Sequence, residues 1–291
     1  MIIIKLQGGL GNQLFQYALG RTLEKKYAKE VKYDISFFSD PKKFTPRTFL
    51  LNKFNTKISI ANDEEIKKVK YPLGAFSKTL FLMKKALNKY LFKKYHISYD
   101  SHFLPSIENK TAVYLEGYWQ SFRYVEPCLE ELRNEIVLKD RPTPVFEKVA
   151  TEMSQGPSVA IHIRRGDYLN SGGHIGALDM SYYERANAIM MQKMHEVRYY
   201  VFTDDTEWVK ENVSFLGKAN VTFVSDLGLQ DYEELILMTY CRHAIIANSS
   251  FSWWGAMLNR NPQAIIVCPQ DWKNSLLKND EDLCPERWVR V

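Results

Sequence analysis

The sequence predicts an α/β protein built as two doubly wound units, each around a parallel sheet. Three observations carry this. The chain opens strand, glycine turn, helix, strand. Its second half again alternates short apolar runs with helical patterns. Between the halves lie two groups of breakers, Asp140-Arg141-Pro142-Thr143-Pro144 and Gln155-Gly156-Pro157. Strands separated by helices return in parallel, because a crossover helix brings the chain back to the same end of the sheet.

Ile2-Ile3-Ile4-Lys5-Leu6 is the first buried strand, and Gly8-Gly9-Leu10-Gly11-Asn12 is a turn. A helix is expected from Gln13 to Tyr27, since Leu14, Tyr17, Ala18 and Arg21 recur at helical spacing. Val31-Lys32-Tyr33-Asp34 is the second strand. Residues 60–96 read as helical and Lys-rich, with Lys84, Lys85, Lys89, Lys93 and Lys94 opposite Leu80, Leu82, Leu87 and Leu91. Such a stretch suits a solvated helix on a domain face or a basic amphipathic helix on a membrane surface. Ala112-Val113-Tyr114-Leu115 is a further strand. The domain boundary is placed near the breakers, giving units 1–150 and 151–291. In the second unit strands are expected at 158–162, 198–203, 221–224, 244–247 and 264–268, with the clearest helices at 181–195 and 231–241.

The 291 residues are 45% hydrophobic, enough for full cores, and carry a net charge of +5. That charge fits anionic substrates, nucleic acid or an acidic membrane surface. Cys128, Cys241, Cys268 and Cys284 lie far apart in sequence without C-x-x-C spacing, so neither a zinc site nor a disulfide framework is expected. Free thiols point to a reducing cytoplasm. Met1 to Leu6 is too short for a signal peptide, and no window approaches the ~20 apolar residues of a membrane span. The expected location is cytoplasmic, with peripheral contact at the inner face of a membrane as an option.

Four segments carry chemistry. His162-Ile163-Arg164-Arg165-Gly166-Asp167-Tyr168 follows an apolar strand. Two adjacent guanidinium forks at a strand tip suit a bound phosphate. Strand alternation groups His162 with Arg164 and sets Arg165 with Ile163, so Arg164 is the better ligand candidate and Arg165 the better scaffold. Thr203-Asp204-Asp205 ends another strand; it reads as a helix cap or as a carboxylate for a guanine edge. Asn248-Ser249-Ser250-Phe251-Ser252-Trp253-Trp254-Gly255 would start a helix whose first N–H groups form an anion site. The two tryptophans either pack or stack on a sugar. The glycine turn at 8–12 matches a dinucleotide fingerprint only in part: Leu14 stands where the third glycine belongs, although Asp34 sits near the place of a ribose-binding acid.

Taken together, GGLGNQLFQYALGR, HIRRGDY, FTDD and NSSFSWWGA resemble the bacterial α-1,2-fucosyltransferases. The resemblance runs in order from Gly8 to Gly255. It implies a GT-B architecture, with two Rossmann-like domains facing across a cleft. It further implies GDP-β-L-fucose as donor, the 2-hydroxyl of a galactose-terminated glycan or lactose-like acceptor, inversion at the anomeric carbon, and no metal or other cofactor. By that resemblance the donor meets Gly11, Asn12, Arg164, Asp204, Asp205, Asn248, Ser249, Ser250 and Ser252. The catalytic candidates are Arg164, Asp167 and His162, with Asp167 first choice as general base and Glu116 and His174 behind it. His174, Trp119 and Gln120 are the acceptor candidates, with Tyr118 beside them.

Three other readings compete, the poorest of them a nicotinamide-dependent oxidoreductase, against which Leu14 stands at the last glycine position. A transferase with another nucleotide sugar would keep the architecture. A basic, non-catalytic module would bind nucleic acid or membrane through residues 60–96 but would leave HIRRGDY unexplained. The expectation is therefore an enzyme that binds no nucleic acid.

Overall fold

The computed structural model describes residues 1–39, 47–70, 95–99, 107, 112–169, 176–194, 196–217, 220–272 and 281–291. Two compact units divide the chain, Met1–Ile136 and Val137–Val291. The division falls before the expected residue 150, because the helix Pro144–Ser154 belongs to the second unit: its Phe146 packs edge-on against Tyr240 at 6.0 Å.

The first unit has a sheet of β1 (Ile2–Lys5), β2 (Val31–Asp34), β3 (Tyr95–Tyr99) and β4 (Ala112–Glu116), in the order β2-β1-β4-β3 and parallel throughout. Ile2, Ile3 and Ile4 are all fully buried, as befits a central parallel strand covered on both faces. Helix α1 (Leu10–Tyr27) begins earlier than the expected Gln13. Gly8, with φ +81, and extended Gly9 complete the turn within two residues, so Leu10 already has helical geometry. At Gly20 a Cβ would collide with the Tyr33 hydroxyl, so only glycine lets α1 lie this close to β2.

β3 departs from the helical reading of 60–96. Among the described residues helix α2 covers Asp63–Lys70, and Tyr95 and His96 pair as strand with Ala112 and Val113. The basic residues Lys84 to Lys94 and their leucines lie outside the described residues.

Helices α3 (Leu129–Glu135) and α4 (Pro144–Ser154) lead into the second unit. Its strands are β5 (Ser158–Ile163), β6 (Arg198–Thr203), β7 (Val221–Phe223), β8 (His243–Ile245), β9 (Ile266–Cys268) and β10 (Val289–Arg290). They run β10-β9-β8-β5-β6-β7, and all pairings are parallel. The strand order reverses at the β5–β8 seam, the place where doubly wound sheets open a crevice at their carboxyl ends. The helices are α5 (Gly166–Leu169), α6 (Met180–Lys193), α7 (Thr206–Asn212), α8 (Asp231–Met238) and α9 (Ser250–Met257). β10, two residues long, was not anticipated.

All four cysteines are buried, and none is in a disulfide. Remote in sequence, Cys268 and Cys284 nevertheless meet: a hydrogen bond between the two thiols, with burial, pushes Cys268 well above its ordinary value. Among the described residues no helix is long and apolar enough to cross a membrane.

Candidate active site at the carboxyl ends of the second sheet

β6, β5 and β8 are neighbours, so the three motif segments that follow them emerge side by side. After β5 the chain turns through Arg164 and Arg165 into α5. Arg164 Nε donates to Asp204 Oδ2 at 3.1 Å. The Arg165 backbone N–H donates to the other oxygen, Asp204 Oδ1, at 2.9 Å. Arg165 Nε reaches Asp205 Oδ2 at 3.3 Å, and its guanidinium lies 3.4 Å from the centre of the Trp208 ring. An arginine stacked on an indole and forked onto a carboxylate has few conformations left. Arg165 is thus held on two sides.

The aspartates expected to cap a helix or read a base therefore engage the arginines. Asp205 does occupy the N-cap position of α7, yet its side chain makes no capping bond. Asp204 has both oxygens occupied. Gly166 permits this approach, since a Cβ there would stand 2.6 Å from Asp204 Oδ2.

His162 is buried at 3% exposure, tilted against Phe251 with ring centres 5.5 Å apart. Burial first, and then the Arg164 charge, pushes the imidazole down to about 3. It is neutral at any working pH, which leaves hydrogen bonding rather than proton transfer from an imidazolium as its chemistry. Its Nδ1 is buried without a hydrogen-bond partner. Asp167 lies in α5; its side chain and all of His174 fall outside the described residues.

After β8, Asn248 ties the site together. Its Nδ2 donates to Gly176 O and to Trp272 O, both at 2.8 Å, and its own carbonyl accepts from Tyr168 Oη at 3.0 Å. With both amide hydrogens committed, only Oδ1, buried and unpartnered, remains. Asn248 therefore presents an acceptor, which suits a hydroxyl or N–H of a ligand and not a phosphate. Ser249 caps α9, accepting from Phe251 N at 3.3 Å. Ser250 is half-buried in the first turn of the helix. Ser252 is fully buried with its hydroxyl turned to Ala247 O and Ser249 O, which removes it from ligand reach. Trp253 and Trp254 are fully buried and pack edge-on at 5.2 Å, so they are core and not a sugar platform.

In the first unit, Gly11 and Asn12 sit in the first turn of α1, beyond the carboxyl end of β1. Gln120 Nε2 donates to Asn12 Oδ1 at 2.6 Å. Gln13 and Gln16, both fully buried and unforeseen as key residues, brace this end: Gln13 spans Gly8 O, Thr48 O and Leu50 N, and Gln16 spans Gln7 and Gly117 O. Trp119 corrects its expected role. It is fully buried against Tyr124, with φ +55, and its ring offers nothing to an acceptor; Tyr118, 40% exposed, is the outward aromatic. Glu116 is held by Lys5 at 2.5 Å and Lys70 at 3.8 Å. Asp34, near the place of a ribose-binding acid, accepts instead from Tyr114 Oη at 2.6 Å and Ser36 N at 2.8 Å.

Among the described residues no group of three or more His, Cys, Asp or Glu is placed to hold a metal ion. Sequence reading also missed Trp208, Ser225 and Glu234, which back the end of β6. The sequence signal for Glu234 is its place directly before the apolar run Leu235-Ile236-Leu237-Met238.

The sequence profile of glycosyl transferase family 11 matches residues 1–291. The chain belongs to this family. It is 30% identical to an alpha-1,2-colitosyltransferase of Escherichia coli over 100% of this chain and 99% of that one. It is 28% identical to human galactoside alpha-(1,2)-fucosyltransferase 1, over 50% of this chain and 42% of that one. Among solved structures it is similar to the NodZ alpha-1,6-fucosyltransferase soaked with GDP-fucose, at 12% identity and a TM-score of 0.50, covering 91% of this chain and 94% of that one. The family member is accordingly a glycosyltransferase with the GT-B fold, and its two parallel α/β units agree with the fold class expected from the sequence.

Proposed function

We propose that this glycosyltransferase moves L-fucose from GDP-β-L-fucose to the 2-hydroxyl of a terminal galactoside, giving an α-1,2-fucoside with inversion and without a metal ion. The observation that carries the reading is the Arg164–Arg165 pair. Two aspartates and an indole fix it at the switch point of the second sheet, beside the N-terminus of α9. When the sugar–phosphate bond breaks, charge develops on the departing diphosphate, and fixed cations with helix N–H groups stabilise it. Asn248 Oδ1 and the neutral His162 are left to hydrogen-bond the nucleoside. Asp167, two residues after Arg165, is the assigned base for the acceptor hydroxyl.

The full-length similarity to an alpha-1,2-colitosyltransferase favours a second donor, GDP-colitose. One experiment separates the two. Purified protein is incubated with lactose in EDTA, with either GDP-fucose or GDP-colitose, and products are resolved by mass and linkage. An α-1,2-linked fucosyl trisaccharide is expected. Product from GDP-colitose alone would reassign the donor sugar, and loss of product in EDTA with rescue by a divalent cation would overturn metal independence.

A further inference from the structure

Glu234 lies in the first turn of α8, beneath the end of β6, and takes no part in the site as described above. Hydrogen bonds link it, residue by residue, to the arginines. Ser225 Oγ donates to Glu234 Oε2 at 3.2 Å. The Thr203 backbone N–H donates to Ser225 Oγ at 3.0 Å. Thr203 Oγ1 accepts from the Asp205 N–H at 3.1 Å. Asp205 holds Arg165, which lies on Trp208 and whose backbone N–H holds Asp204, and Asp204 holds Arg164.

We propose that Glu234 is a positioning residue that sets the arginine pair through Ser225, Thr203 and Asp205, so that the charge on Glu234 governs how firmly the pair is held. A carboxylate accepts only, so it fixes the Ser225 hydroxyl hydrogen toward itself and leaves the serine lone pairs for Thr203 N–H. A protonated Glu234 can itself donate to Ser225, and the serine hydrogen then loses its fixed direction. Thr203 makes both links, its N–H to Ser225 and its Oγ1 to the Asp205 N–H, so a change at Ser225 shifts Thr203 and is felt at Asp205.

The surroundings make Glu234 the group that titrates. Burial pushes its carboxyl up to about 7; the Ser225 hydrogen bond lowers it and the Asp231 charge raises it. On its own helix Glu233 is engaged as a cap, accepting from Gln230 N at 2.9 Å. On the turn after β7, Asp226 is paired with Lys210 at 2.6 Å. α9, which packs on α8, has no ionisable residue in Ser250–Met257. α4, which also packs on α8, brings Glu147 and Lys148 on its exposed face and Glu152 partly exposed.

The consequence for donor binding rests on the proposed function; the coupling itself does not, and the test keeps the two apart. Protein labelled with 5-fluorotryptophan is followed by fluorine NMR from pH 5.5 to 8.5, with the Trp208 signal assigned by Trp208→Phe. The Trp208 signal is expected to titrate near pH 7 in the wild type and to stay flat in Glu234→Gln and in Ser225→Ala. In parallel, GDP affinity is measured at pH 6 and pH 8. The ratio of wild-type to Glu234→Gln affinity is expected to fall severalfold at the lower pH, a comparison in which the titration of GDP itself cancels. A Trp208 signal that does not titrate, or that titrates alike in both variants, overturns the coupling. Absence of any GDP binding by the wild type overturns the proposed function, and the Trp208 titration still decides the role of Glu234.

Discussion

Arg164 and Asp204 are joined Nε to Oδ2 at 3.1 Å across 40 residues of sequence, each about one quarter exposed. The pair links the tip of β5 to the tip of β6 and sets one of two cations at the head of the candidate donor site. Arg164→Ala is expected to lower turnover by ~100-fold or more, the scale of losing one preorganised charge at a transition state. Asp204→Asn should lower it by less, because the arginine remains and only its anchor weakens. Steady-state kinetics of both variants checks the order; near-normal turnover in Arg164→Ala removes it from catalysis.

Gly166→Ala forces a choice between its own Cβ and Asp204 Oδ2, 2.6 Å apart. Donor binding should weaken by roughly tenfold, equivalent to about 1.4 kcal/mol, while the melting temperature changes little. A variant that binds donor normally would show that Asp204 relaxes without consequence.

Asp167→Asn tests the assigned base. Turnover should fall severely with donor affinity retained, since the change touches acceptor activation and not the diphosphate. Full turnover in a folded variant would pass the role to another group.

Tyr118 and Trp119 separate function from packing at one loop. Tyr118→Ala should raise the acceptor KM and leave the fold intact, because the ring is exposed. Trp119→Ala removes a fully buried ring and should destabilise by ~3–5 kcal/mol. Chemical denaturation beside acceptor titration distinguishes them; equal KM effects with equal stability would contradict the assignment.

Asp34 gives an acid-stability signature. Burial acts to raise its carboxyl, but hydrogen bonds from Tyr114 and Ser36, with the Lys70 charge, together hold it below the ordinary value. The sign follows: the folded chain binds this proton less readily than the unfolded one. The stabilisation is therefore complete above the ordinary carboxylate range, near 4, and is lost as pH falls through the lower folded value. Asp34→Ala should cost about 1–3 kcal/mol at neutral pH by stranding the buried Tyr114 hydroxyl, and its unfolding curve should flatten below pH 4. Equal acid slopes in variant and wild type would refute this.

The elements that could be read in advance are those with a strong local period. Ile2-Ile3-Ile4 and Val159-Ala160-Ile161 are apolar on both faces because central parallel strands are covered twice. β3 was hidden because the Lys- and Leu-rich run before it reaches Tyr95 with no Gly, Pro, Asn or Asp after Asn88 to mark a break. In the site, the identities of Arg164, Arg165, Asp204 and Asp205 were legible, but their pairing was not. Pairing depends on β5 and β6 lying side by side, which is a property of the sheet and not of either motif. Trp119 misled, and Trp253 and Trp254 were left open, for a related reason: an aromatic beside a polar motif has the same composition whether it lines a cleft or fills a core. Gln13 and Gln16 were passed over because a polar residue on a helix ordinarily faces water.

The reversal of strand order at β5 and β8 divides the second unit into two halves, one running from β5 to β7 and the other from β8 to β10. Three register pairs, Val159 with His243, Ala160 with Ala244 and Ile161 with Ile245, form the seam between their sheets. The motif loops stand at one end of that seam, and Tyr168 already crosses it to Asn248. A ligand gripped from both sides acts as a clamp between two half-domains, so its binding energy adds directly to their cohesion. The halves, expressed as separate polypeptides, would then reassemble more tightly with the nucleotide present than without it.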